Sequence, residues 1–225
     1  MRTAVAVLTE YTPCIELDLC GRRWHLERAA SLEALWETMG DDEFGEDERL
    51  PYWTELWPSS IVLARWLFAN RASIAGKRCL DMGCGLGLTA LVGSWLGARV
   101  VAMDYEPLAL RFASRNAAHN NVPEPLWAVM DWRCPAVRAG ACEVVWGGDI
   151  MYERRFVEPV LTFLEHALAP GGVAWVAEPD RAVYAHFRTQ LESRGWQSAR
   201  LVSEQTEALY EQPVPVTVNL WELRR

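Results

Sequence analysis

The sequence predicts an α/β protein: a mostly parallel, doubly wound sheet with helices on both faces and a small N-terminal extension. Three observations carry this. Short apolar runs alternate with helical patterns from about residue 77 to residue 195, the mark of right-handed βαβ units. A glycine-rich turn, Asp81-x-Gly83-x-Gly85-x-Gly87, joins the first run to an apolar helix. The last two runs follow one another with no helical pattern between them, so an antiparallel pair should close the sheet. Counting the runs gives seven strands, the last of them antiparallel.

The organising stretch is residues 77–91. Cys79, Leu80 and Met82 make an apolar strand, and Asp81 sits at its end. Gly83, Gly85 and Gly87 let the backbone turn tightly and approach a ligand with no Cβ in the way. Residues 88–96 are apolar enough for a buried helix, whose first amides form a polar, ligand-receptive edge.

Residues 1–50 read as an extension and residues 51–225 as the main domain. Partial alternation over 12–19 and 24–26, around Cys20-Gly21, predicts a hairpin. Ser31 can cap a helix through Leu32, Leu35, Trp36 and Met39. The segment Pro51-Tyr52-Trp53-Thr54-Glu55-Leu56-Trp57-Pro58-Ser59-Ser60 is aromatic and proline-stopped. Pro58 pushes the residue before it out of helical geometry, so Ser59 or Ser60 is expected to cap a helix through Ile61 and Phe68. Its rings are either core filler or, at Trp57, a cover over a ligand at the sheet's edge.

Beyond the glycine turn, residues 99–103 form a strand ending in Asp104, and Pro107 opens a helix to about residue 120. Residues 126–130 form a strand ending in Asp131-Trp132. Residues 142–146 form another, leading into Gly147-Gly148-Asp149-Ile150-Met151-Tyr152. A helix over 156–168 should stop at Pro170-Gly171-Gly172. The strand 173–177 leads into Glu178-Pro179-Asp180-Arg181, the helix 182–194 ends at Gly195, and strands 197–202 and 214–221 close the chain.

Composition narrows the function classes. At 225 residues the chain can bury one sizeable core, and no run approaches the roughly 18 apolar residues of a membrane span. The N-terminus carries no secretory pattern. The six cysteines form no Cys-x-x-Cys pair and do not cluster with the four histidines, so no metal site is expected. Reduced, mostly buried thiols in a cytoplasmic protein are the simpler reading. A net charge of −8 without a basic stripe argues against a nucleic-acid partner. The acidic run at 41–48 reads as a solvated loop or as a lip that attracts a cationic substrate. A monomer is the expected state.

The chemistry concentrates at the strand exits, where an open parallel sheet binds its ligand. Asp81-x-Gly83-x-Gly85-x-Gly87 is not the dinucleotide pattern, and an acid there suits a ligand bearing an ammonium group better than a pyrophosphate. Asp104 is placed to accept bonds from both hydroxyls of a ribose. Asp131-Trp132 can bond an adenine amine and cover its ring. S-adenosyl-L-methionine has those three parts and no phosphate. A nicotinamide dehydrogenase on a similar sheet is the distant alternative.

With these residues in place, the chain resembles the class I S-adenosylmethionine-dependent methyltransferases, with their Rossmann-like sheet, and within them the family-16 lysine methyltransferases. The similarity runs from about residue 50 to the C-terminus. Its carriers are Leu56-Trp57-Pro58-Ser59-Ser60, the glycine turn, Asp104, Met130-Asp131-Trp132 and Asp149-Ile150-Met151-Tyr152, which is similar to the family's Asp-x-x-Tyr (or Phe) signature. The resemblance implies cofactor contacts at Trp57, Gly83, Gly85, Asp104, Trp132 and Gly148. Asp81, Cys84, Gly87, Tyr105 and Asp131 complete the candidate cofactor set, and Asp149 and Tyr152 are the candidate catalytic pair. Pro51-Tyr52-Trp53 and Glu178-Pro179-Asp180-Arg181 are similar to the branch that modifies the β subunit of electron-transfer flavoprotein. That branch shows Asp-Pro-Gly-Arg, so Glu178 and Asp180 depart from it.

The resemblance implies methyl transfer to a lysine of a protein substrate. A small-molecule amine and a cofactor-binding module without catalysis are the alternatives; Asn-Pro-Pro-Tyr, expected for nucleic-acid amino groups, is absent. A lysine must lose its proton before it attacks, and a carboxylate beside it favours the charged form. Asp149 is therefore expected to orient the amine rather than deprotonate it, with Tyr152 lining the slot.

Overall fold

The computed structural model describes residues 13–29, 52–206 and 215–225. The helix expected after Ser31, the acidic run at 41–48, Pro51 and the boundary at residue 50 lie outside the described residues.

The first described element is the hairpin read from the alternation, β1 (Cys14–Leu19) and β2 (Arg22–Glu27), paired antiparallel. Cys20 and Gly21 turn it, with φ of 57° and 80°. Two positive values in a two-residue loop match the twist of the flanking strands. A short 3-10 turn (Tyr52–Thr54) precedes α1 (Pro58–Ala69). The helix starts one residue ahead of the expected serine caps. Trp57 is the extended N-cap and Pro58 the first helical residue. Proline lacks only a donor that the first turn leaves unpaired anyway, and it holds its predecessor extended.

Strand and helix then alternate: β3 (Arg78–Met82), α2 (Leu88–Trp95), β4 (Arg99–Asp104), α3 (Pro107–His119), β5 (Leu126–Val129), β6 (Cys142–Gly148), α4 (Val157–Ala167), β7 (Leu168–Glu178), α5 (Ala182–Ser193), β8 (Gln197–Thr206) and β9 (Val216–Arg224). Among the described residues the main sheet has seven strands, in the order β5-β4-β3-β6-β7-β9-β8. β9 runs antiparallel to both of its neighbours and the other pairs are parallel, as expected. β7 departs from expectation. Pro170-Gly171-Gly172 does not separate a helix from a strand; it lies inside the strand. Between Cys142↔Leu168 and Val144↔Val173, β6 advances two residues while β7 advances five. Gly171, at φ 74°, helps absorb the excess.

Each sheet face carries its own core. Cys79, Val144, Trp146 and Trp175 point to the side covered by the hairpin, α1, α2 and α3. Leu80, Met82, Val145 and Val176 point to the side covered by α4 and α5. The alternation along each strand produces this division. The hairpin is stitched to α3 by Asn116 and Asn120, whose side chains bond the backbone of Glu27 and His25 as a neighbouring strand would. Strand order reverses between β3 and β6, and that opens a crevice at their carboxyl ends. Among the described residues no helix is long and apolar enough to cross a membrane.

Candidate functional site

The crevice is a cavity of about 560 Å³, within the range of small-ligand sites. The turn after β3 forms its floor. Gly83, Gly85 and Gly87 all have positive φ, at 69°, 51° and 90°. Gly87 is the N-cap of α2, and a Cβ there would lie 2.9 Å from that of Ala113. The Gly85 amide donates to Asp104 Oδ2 at 2.8 Å, and the Glu106 amide donates to Oδ1 at 3.0 Å. Asp104 is thus held by backbone at the tip of β4 and keeps lone pairs for a ligand. Burial raises its pKa to about 6, against the pull of those amides.

Of the residues expected at the cofactor, Trp57, Gly83, Cys84, Gly85, Gly87, Asp104, Tyr105, Asp131, Trp132 and Gly148 line the cavity. Asp81 does not; it lies beneath the turn. Its carboxylate accepts the Thr89 hydroxyl at 2.6 Å, so it ties β3 to the first turn of α2. Burial pushes its pKa up to about 7, with the Thr89 hydroxyl and, more loosely, the Trp146 indole opposing, and among the described residues no group meets Oδ1 in hydrogen-bond geometry. An acid at this strand tip can face either the ligand or the helix, and the sequence does not distinguish them. Asp131 lines the cavity but is chelated by Arg133, at 2.8 Å to Nε and 2.7 Å to Nη2. Gly148 gives room to α1: a Cβ there would meet the Ser60 amide at 3.3 Å.

One wall is aromatic and continuous. The Trp57 indole donates to the Tyr52 carbonyl at 2.9 Å and its ring meets Tyr52 edge-on at 5.9 Å. Tyr52 meets Tyr152 at 5.3 Å, Tyr152 meets Phe156 at 4.9 Å, and Phe156 meets Trp132 at 5.3 Å. Edge-to-face contacts at such spacings fix rings against one another. Burial, reinforced by the charges of Glu153 and Asp104, raises the Tyr152 pKa, so its hydroxyl keeps its proton.

Asp149 sits at the mouth of β6 in left-handed conformation, φ 56°, with its amide bonded to Ala177 O at 2.8 Å. Its carboxylate is buried and held in a fork by Arg181, Nε to Oδ1 at 3.0 Å and Nη2 to Oδ2 at 3.1 Å. Arg181 is positioned by the turn after β7. Its amide donates to Glu178 Oε2, while Glu178 Oε1 accepts from Asn219 and Trp221 of β9. Asp180, where the similar branch has glycine, takes φ 55° and bonds Asn219. Aspartate is among the few residues that tolerate that region.

Sequence reasoning missed Arg181, Tyr52 and Phe156 as site residues. The signals were present: the Glu-Pro-Asp-Arg stretch at a strand exit, and rings four residues apart at 152 and 156. Their convergence is a tertiary fact.

Residues 67–145 match the ribosomal protein L11 methyltransferase family. The chain is 32% identical over 136 residues to the electron transfer flavoprotein β subunit lysine methyltransferase of Danio rerio, covering 60% of this chain and 52% of that one. It is 30% identical over 126 residues to a Danio rerio protein N-lysine methyltransferase, METTL21A, covering 53% and 57%. The chain therefore spans about half the length of the curated relatives it matches. Among solved structures, a Thermus thermophilus 16S rRNA N2 G1207 methyltransferase in complex with AdoMet and guanosine matches 94% of this chain and 50% of its own, at TM-score 0.64 and 15% identity. A ribosomal protein L11 methylase from Lactobacillus delbrueckii matches 72% and 76%, at TM-score 0.56 and 17% identity. The fold is the Rossmann-like fold of class I methyltransferases.

Proposed function

We propose that this chain is an S-adenosylmethionine-dependent N-methyltransferase whose acceptor is a lysine amine of a protein. The supporting observation is one cavity that joins an Asp104-anchored glycine turn to the Asp149–Tyr152 mouth. The similarity to two named lysine methyltransferases supports the choice of acceptor.

The residues fit the cofactor. The turn presents backbone without Cβ atoms at Gly83, Gly85 and Gly87, and Asp104 has lone pairs left for two hydroxyls. Trp132 offers a ring face for a purine, and Trp57 and Tyr105 border the same space. When bound, S-adenosylmethionine supplies an electrophilic methyl group on a sulfonium.

The chain's own residues then position and select. Asp149 accepts an N–H of the incoming amine and so aims its lone pair. Tyr152, Tyr52 and Phe156 enclose the slot and exclude water from the developing N–C bond. The amine would take the methyl carbon of bound S-adenosylmethionine, leaving the C–S electron pair on sulfur, and the methylated amine would yield a proton to solvent. Positioning of this kind can supply on the order of 7–11 kcal/mol of the barrier.

The test is label from the methyl of S-adenosylmethionine offered to a cell lysate. A labelled protein band whose acid hydrolysate carries the label as N-methyl-lysine supports the reading, whereas label confined to small metabolites replaces lysine with a small amine. Asp149→Ala should keep S-adenosylhomocysteine affinity within about threefold by calorimetry and lower transfer at least a hundredfold, in line with lost orientation. Full activity in that variant refutes the role given to Asp149.

A further inference from the structure

Asp149 presents a chemical difficulty. A lone carboxylate beside an amine stabilises the ammonium, which has no lone pair to attack with. The structure answers with a second residue. Both Asp149 oxygens are taken by the Arg181 guanidinium at 3.0 and 3.1 Å, and Arg181 is itself held by the Glu178 carboxylate through its amide. Two-point geometry of this kind is what arginine offers and lysine does not.

We propose that Arg181 is a positioning and charge-compensating residue: it offsets the charge of Asp149 so that the slot takes the acceptor as neutral amine. A carboxylate has about four lone-pair sites, so the fork leaves Asp149 able to accept an amine N–H while its net field is cancelled. Among the described residues near the pair, Glu178 and Asp180 are bound by Asn219, Glu153 pairs with Arg155, Glu55 with Arg28, Asp131 with Arg133, and Asp104 with backbone amides, while Glu106 also lines the cavity. Tyr52, which lies near Arg181, and Tyr105 and Tyr152 line the same cavity. Removal of the Arg181 charge therefore leaves the buried Asp149 carboxylate without its counter-ion.

This role rests on the reading of the cavity as an amine-methylation site, and the test separates the two. Arg181→Gln and Arg181→Lys are compared with the parent protein in three measurements. S-adenosylhomocysteine affinity, by calorimetry, should stay within about threefold in both variants, which shows the fold intact. n-Butylamine, a mimic of the lysine side chain, is titrated at pH 7 in the presence of S-adenosylhomocysteine and followed by NMR. It should bind Arg181→Gln about tenfold tighter than the parent, as ammonium, with Arg181→Lys between. The pH at which label transfer to protein reaches half its maximum should rise by about one unit in Arg181→Gln. A purely structural arginine would lower the maximum without moving that midpoint. Equal n-butylamine affinity in parent and Arg181→Gln, or superimposable pH profiles, overturns the proposal. Absence of transfer by the parent protein would instead count against the methyltransferase reading, and the amine titration would still decide the role of Arg181.

Discussion

At Asp104 two backbone amides, from Gly85 and Glu106, each point at one carboxylate oxygen. The side chain is thereby frozen with its remaining lone pairs toward the cavity before any ligand arrives. Asn at this position would turn an NH₂ against one of those amides and lose the charge. Hydrogen bonds to a charged acceptor contribute about 1.5–3 kcal/mol each. Asp104→Asn should therefore weaken S-adenosylhomocysteine at least about tenfold by calorimetry, a fall that each 1.4 kcal/mol produces. Affinity equal to the parent's would show that Asp104 serves the turn and not the ligand. Asp104 and Asp81 are both acids at strand tips, and they illustrate what a sequence can and cannot say at this scale. The identity and spacing of the acids were legible. Their direction was not, because Asp81 is turned toward Thr89 by a contact that depends on where α2 starts, and α2 starts where Gly87 adopts left-handed geometry.

At the scale of elements, α3 does two things through one residue. Among the described residues the Asn120 side chain bonds only the hairpin and its own helix, through the His25 backbone and the Asn116 carbonyl. Asn116 bonds the Glu27 backbone and also the Leu86 carbonyl inside the glycine turn. Both side chains are buried. Loss of either amide leaves β2 edge groups without partners, a cost of about 1–3 kcal/mol per buried group. Asn120→Ala and Asn116→Ala should both lower the melting temperature by several degrees, as a 1 kcal/mol loss moves a domain of this size by about 2–4 °C. Only Asn116→Ala should also weaken S-adenosylhomocysteine, since only it supports the turn. Equal ligand affinity in the two variants would show that the turn holds its shape without α3. The hairpin itself was legible, because Cys20-Gly21 sits between alternating runs. Its anchorage was not, since an asparagine pair four residues apart on a helix carries no pattern of its own. The same limit hid the start of α1, where proline, with its fixed φ, becomes the first helical residue and leaves Trp57 as the cap in place of either serine.

Across the whole molecule, the alternation of strand and helix dictated the sheet, its antiparallel closing strand and the end at which the cavity opens. The bulged entry of β7 escaped because Pro-Gly-Gly reads as a stop, while the pairing with β6 carries the strand through it. The fold also concentrates acid where solvent is excluded, and that makes global stability depend on pH in a defined direction. Burial raises the pKa of Asp81 from 3.8 to about 7 and of Asp104 from 3.8 to about 6. Between those limits the folded chain binds more protons than the unfolded one, so these two groups lower stability as pH rises. Their penalty begins near pH 4, grows through pH 6 to 7, and is constant above. Asp81→Asn removes the larger share, and its side-chain oxygen can still accept the Thr89 hydroxyl. Relative to the parent, the ligand-free variant should gain in melting temperature as pH is raised from 5 to 8. The gain should level off above about pH 7, where the buried acid of the parent is fully ionised. A difference between variant and parent that stays constant from pH 5 to 8 would mean that Asp81 does not titrate in the folded protein. Its lone oxygen would then belong to a carboxylate kept charged by a partner other than Thr89.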